Sequence, residues 1–257
     1  MNEATIKTLT ILAGTGKGGE EEPISELTIQ AGECLAVVGP TGSGKSELLA
    51  DIEQFARGDT LSRRRVLING TMPDLTTNCN GMVAQLSQKT GFIMDGTVRD
   101  FIQMHALSKD RNRSDIVDRV LALTNSLCGE PVLPEVRLQV LSGGQSRALM
   151  IADIACISDA AIVLIDEIEN AGIDKLKALA ALAASSKLIV LSTHDPILTL
   201  MATKRTVMKQ GAMSSIHATS TEEAQCLEQL RTVDALLGSA REGLRNGEQL
   251  SVAAISR

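Results

Sequence analysis

The stretch GPTGSGKS at residues 39–46 decides the fold. It follows ECLAVV at 33–38, a continuous apolar run of the kind found in a parallel strand buried on both faces. It runs into SELLADIEQFA at 46–56, apolar at helical spacing. A strand, a turn of small residues and a helix in that order match G-x-x-x-x-G-K-[ST] at every fixed position. Small residues let the backbone wrap a polyphosphate with its N–H groups pointing inward, and the helix N-terminus adds partial positive charge. Gly39, Pro40, Thr41, Gly42, Ser43, Gly44, Lys45 and Ser46 are therefore candidate nucleotide ligands. Lys45 is placed for the β- and γ-phosphates and the Ser46 hydroxyl for Mg²⁺.

Strands and helices alternate on either side of this loop. Weak alternation over 4–13 and 24–30, then RRVLING at 64–70 and GMVAQLS at 81–87, read as strands. From 97 to 140 the texture is helical. Thr97 and Asp100 form a capping-box pattern, and Ile116, Val117, Val120, Leu121 and Leu123 form a helical stripe. Next come a helix from about 143, a strand at 160–165, a helix IDKLKALAALAAS, a strand at 187–192 and a hairpin around Gly211. A long amphipathic helix over 220–245 opens with a capping box from Ser220 to Glu223 and is expected to cover the core. The alternation predicts an α/β fold with a mostly parallel sheet.

Two acids, Asp166 and Glu167, stand just past the apolar run AIVLI. Strand carboxyl ends are where α/β proteins bind ligands. Asp166 would hold Mg²⁺, directly or through water, and Glu167 would polarise the attacking water. STHDP ends the next strand, and its position favours a γ-phosphate contact for His194 over a purely structural role. LSGGQ at 141–145 holds no acid, base or strong nucleophile, only a serine beside two bare backbones. Upstream, GTGKGG at 14–19 matches a dinucleotide fingerprint. It leads into Glu20, Glu21, Glu22 and Pro23 instead of a helix, so a flexible acidic loop is expected. SRRRV at 62–66 reads as a solvated edge before a strand.

The order of P-loop, LSGGQ, VLIDE and STHD resembles the ATP-binding cassette (ABC) ATPase family over about residues 5–215. The resemblance implies a P-loop NTPase, an ABC-type nucleotide-binding domain, as a single domain over 1–250. It would carry a mostly parallel core sheet, an N-terminal antiparallel β part, a helical subdomain inserted at about 93–145 and a C-terminal helix at about 220–246. It implies ATP and Mg²⁺, ATP hydrolysis, and a head-to-tail dimer around two Mg-ATP. In that arrangement the turn Ser142, Gly143, Gly144 and Gln145 closes on ATP held by the other subunit, and its glycines leave room for the approach. Gln88 matches the glutamine that contacts Mg²⁺ and water. Gln85 is the other candidate, but Gln88 is better spaced from Thr97 and Val98. Asp174 matches an aspartate of the dimer interface, and His194 the switch histidine.

Three departures stand out. The family stacks adenine on an aromatic ring before the P-loop, and here no aromatic residue precedes Phe55. Stacking is worth about 1–3 kcal/mol per base, so its absence predicts nucleotide affinity lower by about ten- to a hundredfold and looser base selectivity. The acid pair is not followed by the usual proline, and Asp153 stands where arginine is common.

Composition narrows the partners. A net charge of −6 argues against nucleic-acid binding through broad phosphate neutralisation. The five cysteines have no metal-site spacing and read as reduced packing thiols, which suits the cytoplasm. No signal segment or membrane-length apolar run is present. The leading expectation is an energising subunit docked at the inner face of a membrane on separate transmembrane subunits. A soluble ABC ATPase serving cofactor assembly or a partner enzyme is the alternative.

Overall fold

The computed structural model describes residues 6–74, 81–87, 91–168 and 172–251. β1 (Thr8–Leu12), β2 (Glu26–Gln30) and β4 (Arg65–Ile68) form an antiparallel sheet in the order β2–β1–β4. β5 (Val83–Leu86), β6 (Ile162–Asp166), β7 (Leu188–Ser192), β3 (Cys34–Val38), β8 (Lys204–Lys209) and β9 (Ala212–Ala218) form a second sheet in that order. All its neighbours run parallel except β9, which returns antiparallel on β8. The expected α/β class, with a mostly parallel sheet and an N-terminal antiparallel part, is the observed one.

The central strand explains the continuous apolar run. In β3, Leu35 and Val37 face one core and Cys34 and Ala36 the other. The first core lies between the two sheets and takes Leu48, Leu49 and Ile52 of α1 (Lys45–Glu53). The second takes α4 (Gly143–Cys156), α5 (Lys175–Ala183) and α6 (Pro196–Met201). A third core joins α2 (Val98–Ser108) and α3 (Ile116–Leu127) to α4. Thr97 caps α2 in the expected capping box. Burial pushes the Cys34 thiol up to about 12, as expected of a packing thiol.

The Asp153 departure has a physical reason here. Its carboxylate, buried in α4, lies 2.7 Å from Nδ1 of His105 in α2 and so ties the helical block together.

Two expectations fail. GTGKGGEEEP is not a loose acidic loop, and SRRRV is not a solvated edge. Glu22 and Arg64 are both buried, and the Arg64 guanidinium meets Glu22 at 2.6 Å and Asp51 of α1 at 2.9 Å. Burial alone would lower the pKa of Arg64, but the Glu22 and Asp51 carboxylates outweigh it and hold the group above its ordinary value. Gly14 allows the close approach, since a Cβ there would stand 1.9 Å from the Ser62 carbonyl oxygen.

α7 (Thr221–Arg245) begins at the expected Ser220–Glu223 capping box but covers little of the core. Leu227 and Gly243 are its buried residues, while Val233, Leu237 and Leu244 are about half exposed.

Glu22→Ala leaves Arg64 buried with one partner fewer and should cost about 3 kcal/mol, read from urea unfolding. Glu21→Ala, at an exposed position, should stay within about 0.5 kcal/mol. At the start of α7, the hydrogen bond from Arg205, then the Ser220 N–H, pull the Glu223 carboxyl down to about 2. Its folded pKa lies below its ordinary value of 4.5, so its contribution is full above that pH and is lost as pH falls toward 2. Protection factors for amide exchange over Thr221–Ala224, taken relative to intrinsic rates at each pH, should fall across that window.

Candidate functional site

The register of three parallel strands builds the site. β3 ends at the P-loop, β6 at Asp166 and β7 at Ser192, and Asp166 is paired with Ser192 across the ladder. All three deliver their following residues to one edge of the sheet. Lys45 is buried, and its Nζ donates to the carbonyls of Gly39 at 2.9 Å and Pro40 at 3.2 Å. Pro40, Thr41, Gly42 and Ser46 are exposed. Ser43 Oγ is buried without a hydrogen-bond partner among the described residues. The Ser43 carbonyl accepts from the Gly211 N–H at 2.8 Å.

Ser46 Oγ lies 3.4 Å from Asp166 Oδ2, although 120 residues separate them. Two hard oxygen ligands side by side suit Mg²⁺, which keeps water and phosphate oxygens for its other positions. Among the described residues no cluster of three or more His, Cys, Asp or Glu could hold a metal ion. A cation here therefore needs oxygens from elsewhere.

Glu167 and His194 meet with Oε1 and Nε2 3.5 Å apart. Glu167 sits in the left-handed region at φ 53°, and its N–H donates to the Ser192 carbonyl at 3.0 Å. A non-glycine residue there costs on the order of 1–3 kcal/mol, which the flanking buried strands must sustain. Sequence gives no sign of that strain.

The LSGGQ turn lies at the start of α4. Ser142 is its N-cap: its Oγ accepts from the Gln145 N–H at 3.2 Å, and Gln145 Oε1 accepts from the Ser142 N–H at 3.0 Å. No hydrogen bond or ion pair among the described residues joins Ser142–Gln145 to Gly39–Ser46. A Cβ on Gly143 would meet nothing nearer than Arg147 Nη1 at 3.8 Å, so packing within the chain does not demand glycine there. Gly172 approaches the Gly144 Cα, which brings the segment before α5 beside this turn. Asp174 caps α5, accepting from the Lys177 N–H at 3.0 Å. Gln88 lies outside the described residues. The Gln85 amide, with its nitrogen donating, meets the Glu53 carboxylate at 2.9 and 3.2 Å.

Sequence reading missed a charge relay behind His194. Lys175 Nζ bridges Asp195, the N-cap of α6, and Asp234 of α7, the latter at 3.4 Å. Burial would lower the pKa of Lys175, but Asp195 and then Asp234 hold it above its ordinary value. The residues flanking Asp174 and His194 are thereby joined to the C-terminal helix. The only sequence signal was the acid in STHD.

A phosphate-cradling loop between strand and helix, with an acid pair ending a parallel neighbour strand, defines a P-loop nucleotide-binding protein. The chain matches the family model described as ABC transporter over residues 24–170. It is 51% identical over 249 residues to an uncharacterized ABC transporter ATP-binding protein of Methanocaldococcus jannaschii, covering 96% of this chain and 95% of that one. It is 30% identical over 175 residues to ABC transporter G family member 13 of Arabidopsis thaliana, covering 63% of this chain but 25% of that one. The fold resembles cbiO1 of Clostridium perfringens, part of the ABC transporter complex cbiONQ, with a TM-score of 0.64 at 20% identity over 93% of this chain and 99% of that one. It also resembles a bacterial Atm1-family ABC exporter with ATP bound, with a TM-score of 0.60 at 19% identity over 87% of this chain and 40% of that one. This chain belongs to the ABC transporter family.

Ser142→Ala removes the α4 cap and should lower stability by about 1 kcal/mol in urea unfolding. Ser142→Asn, which keeps a capping oxygen, should restore most of it.

Proposed function

We propose that this chain is the ATP-hydrolysing subunit of an ABC system, two copies of which close head to tail around two Mg-ATP and energise a membrane transporter. The observation that carries the reading is the convergence of Ser46 with Asp166 and of Glu167 with His194 at the strand edge that bears the P-loop. P-loop N–H groups and Lys45 hold the triphosphate, Lys45 exchanging its carbonyl partners for phosphate oxygens. Ser46 and Asp166, with Gln88 from the family resemblance, hold Mg²⁺. When bound, the ion neutralises charge on the phosphate oxygens. Glu167 orients the attacking water, and His194 lies within reach of both the carboxylate and the γ-phosphate position.

One chain leaves this site open. Among the described residues the capped turn Ser142–Gln145 makes no hydrogen bond or ion pair with its own P-loop, and a Cβ on Gly143 would meet nothing nearer than Arg147 at 3.8 Å. Both features support closure by the turn of a second copy, whose N–H groups would meet the γ-phosphate, with Asp174 at the interface. Among the described residues no helix is long and apolar enough to cross a membrane. In this reading the membrane-spanning parts of the transporter are separate chains, with this subunit at the cytoplasmic face. Nucleic acid plays no part in this reading.

Glu167→Gln should reduce ATP hydrolysis by about 10²–10⁴-fold and leave an ATP-bound dimer on size-exclusion chromatography. Undiminished turnover would overturn the role of Glu167. The native protein should also stay with a polytopic protein on salt-washed membranes. Recovery with a soluble enzyme instead would replace transport with activation or assembly of that enzyme.

A further inference from the structure

A second cation sits on the P-loop. Lys17, in the GTGKGG segment, donates from Nζ to the Gly42 carbonyl at 2.7 Å. Lys45 holds the Gly39 and Pro40 carbonyls at the other end of the same loop. The two ammonium groups bracket the cradle. Lys17 makes no ion pair among the described residues, and its side chain is exposed. Among the described residues its side-chain partner is the neutral Gly42 carbonyl, which an anionic phosphate can displace.

The position of Lys17 is built. Its N–H donates to the Gln210 carbonyl at 2.8 Å, and the Thr15 N–H donates to the Ser62 carbonyl at 2.6 Å. Glu22, at the far end of the loop, is locked on Arg64. The Lys17 stem lies on Gly211, where a Cβ would come within 2.9 Å of Lys17 Cγ. Gly211 in turn lies on Gly44, where a Cβ would come within 2.9 Å of the Gly211 Cα. P-loop, hairpin turn and Lys17 are thus stacked at contact distance, which places the Lys17 ammonium beside the phosphate cradle.

No ring competes for this role. The chain has no Trp or Tyr. Phe55 is buried in the first core, and Phe92 and Phe101 pack on each other in the helical block with centroids 4.8 Å apart. A nucleotide base at this P-loop therefore finds no exposed Phe, Tyr or Trp face from its own chain.

We propose that Lys17 binds the phosphate chain of the nucleotide, so that this protein holds its substrate by charge on the phosphates, with little discrimination between bases. The proposal rests on the ATP-binding reading above. It makes Lys17 a binding residue for the phosphates and assigns it no part in reading the base.

The test uses the full chain carrying Glu167→Gln, titrated calorimetrically with the magnesium complexes of ATP, GTP and inorganic triphosphate. Lys17→Met keeps the stem over Gly211 and removes the charge. All three affinities should fall by a common factor of about five- to thirtyfold, between an exposed ion pair and a well-made hydrogen bond to a charged group, and their salt dependence should flatten. Lys17→Arg should stay near the parent. Unchanged affinities in Lys17→Met, or a loss for ATP well beyond that for triphosphate, would overturn the proposal. A folded parent that binds none of the three would overturn the ATP-binding reading itself. Because Lys17 is exposed, the melting temperature of each variant should match the parent, which separates a binding loss from a folding loss.

Discussion

A guanidinium that water does not reach holds the P-loop face of this molecule together. Arg64, the residue before β4, joins three pieces of the chain. It meets Glu22 at the end of the GTGKGG loop, Asp51 on α1, and the carbonyl of Gly211 in the β8–β9 turn. The Gly211 N–H then holds the Ser43 carbonyl inside the P-loop. The chain of contacts is therefore buried ion pair, hairpin turn, phosphate loop. Two charges taken out of water are costly unless well paired, and here each carboxylate has further donors. Glu22 also accepts from the N–H groups of Gly14 and Met213, and Asp51 from Ser62 Oγ. The network adds directional polar contacts to segments that already share the first apolar core through Ile52, Val66 and Met213.

The opposite requirement governs the strand edge. There the fold leaves polar groups incompletely satisfied or strained. Ser43 Oγ and Ser192 Oγ are buried without hydrogen-bond partners among the described residues, and Glu167 is held left-handed. Ser43, Glu167 and Ser192 lie at the ends of β3, β6 and β7, where the candidate ligands converge, although other non-glycine residues elsewhere also take positive φ. Strain maintained by buried strands on both sides is a common mark of a working site. The proposed function gives it a reason: a glutamate turned out of the strand direction can meet both His194 and a water beyond the cradle.

Much of this was legible in sequence, for local reasons. The strands over 33–38, 160–165 and 187–192 declared themselves by continuous apolar runs, and the caps at Thr97 and Ser220 are local hydrogen-bond patterns, whereas the Ser142 cap emerged only in the structure. Motif spacing identified Lys45, Ser46, Asp166, Glu167 and His194 as candidates, and the fold brings the last four together in two pairs. What escaped is long-range. Glu22 and Arg64 are 42 residues apart, and nothing in either neighbourhood announces the pair. Read alone, an acidic glycine loop and an arginine run look solvated. The helix read over 46–56 stops at Glu53, with Phe55 left-handed just beyond it. α6 is only six residues long, too short for a periodic signal, and is defined by the Asp195 cap and Pro196.

The helix that opens at LSGGQ belongs to two cores at once. Ala148 and Ile151 pack with the large sheet, while Leu149 and Ala152 pack with α2 and α3. Asp153, one residue further on, pairs with His105 and fastens α4 to the helical block on the polar side as well. An α-helix is stiff along its axis, so the turn at its N-terminus cannot move without carrying these contacts with it. Both faces of α4 pair an alanine with a larger aliphatic side chain, Ala148 with Ile151 and Ala152 with Leu149, and the helical side adds the polar pair of Asp153 with His105. The turn needs no reactive side chain of its own, since its place is set by the helix behind it.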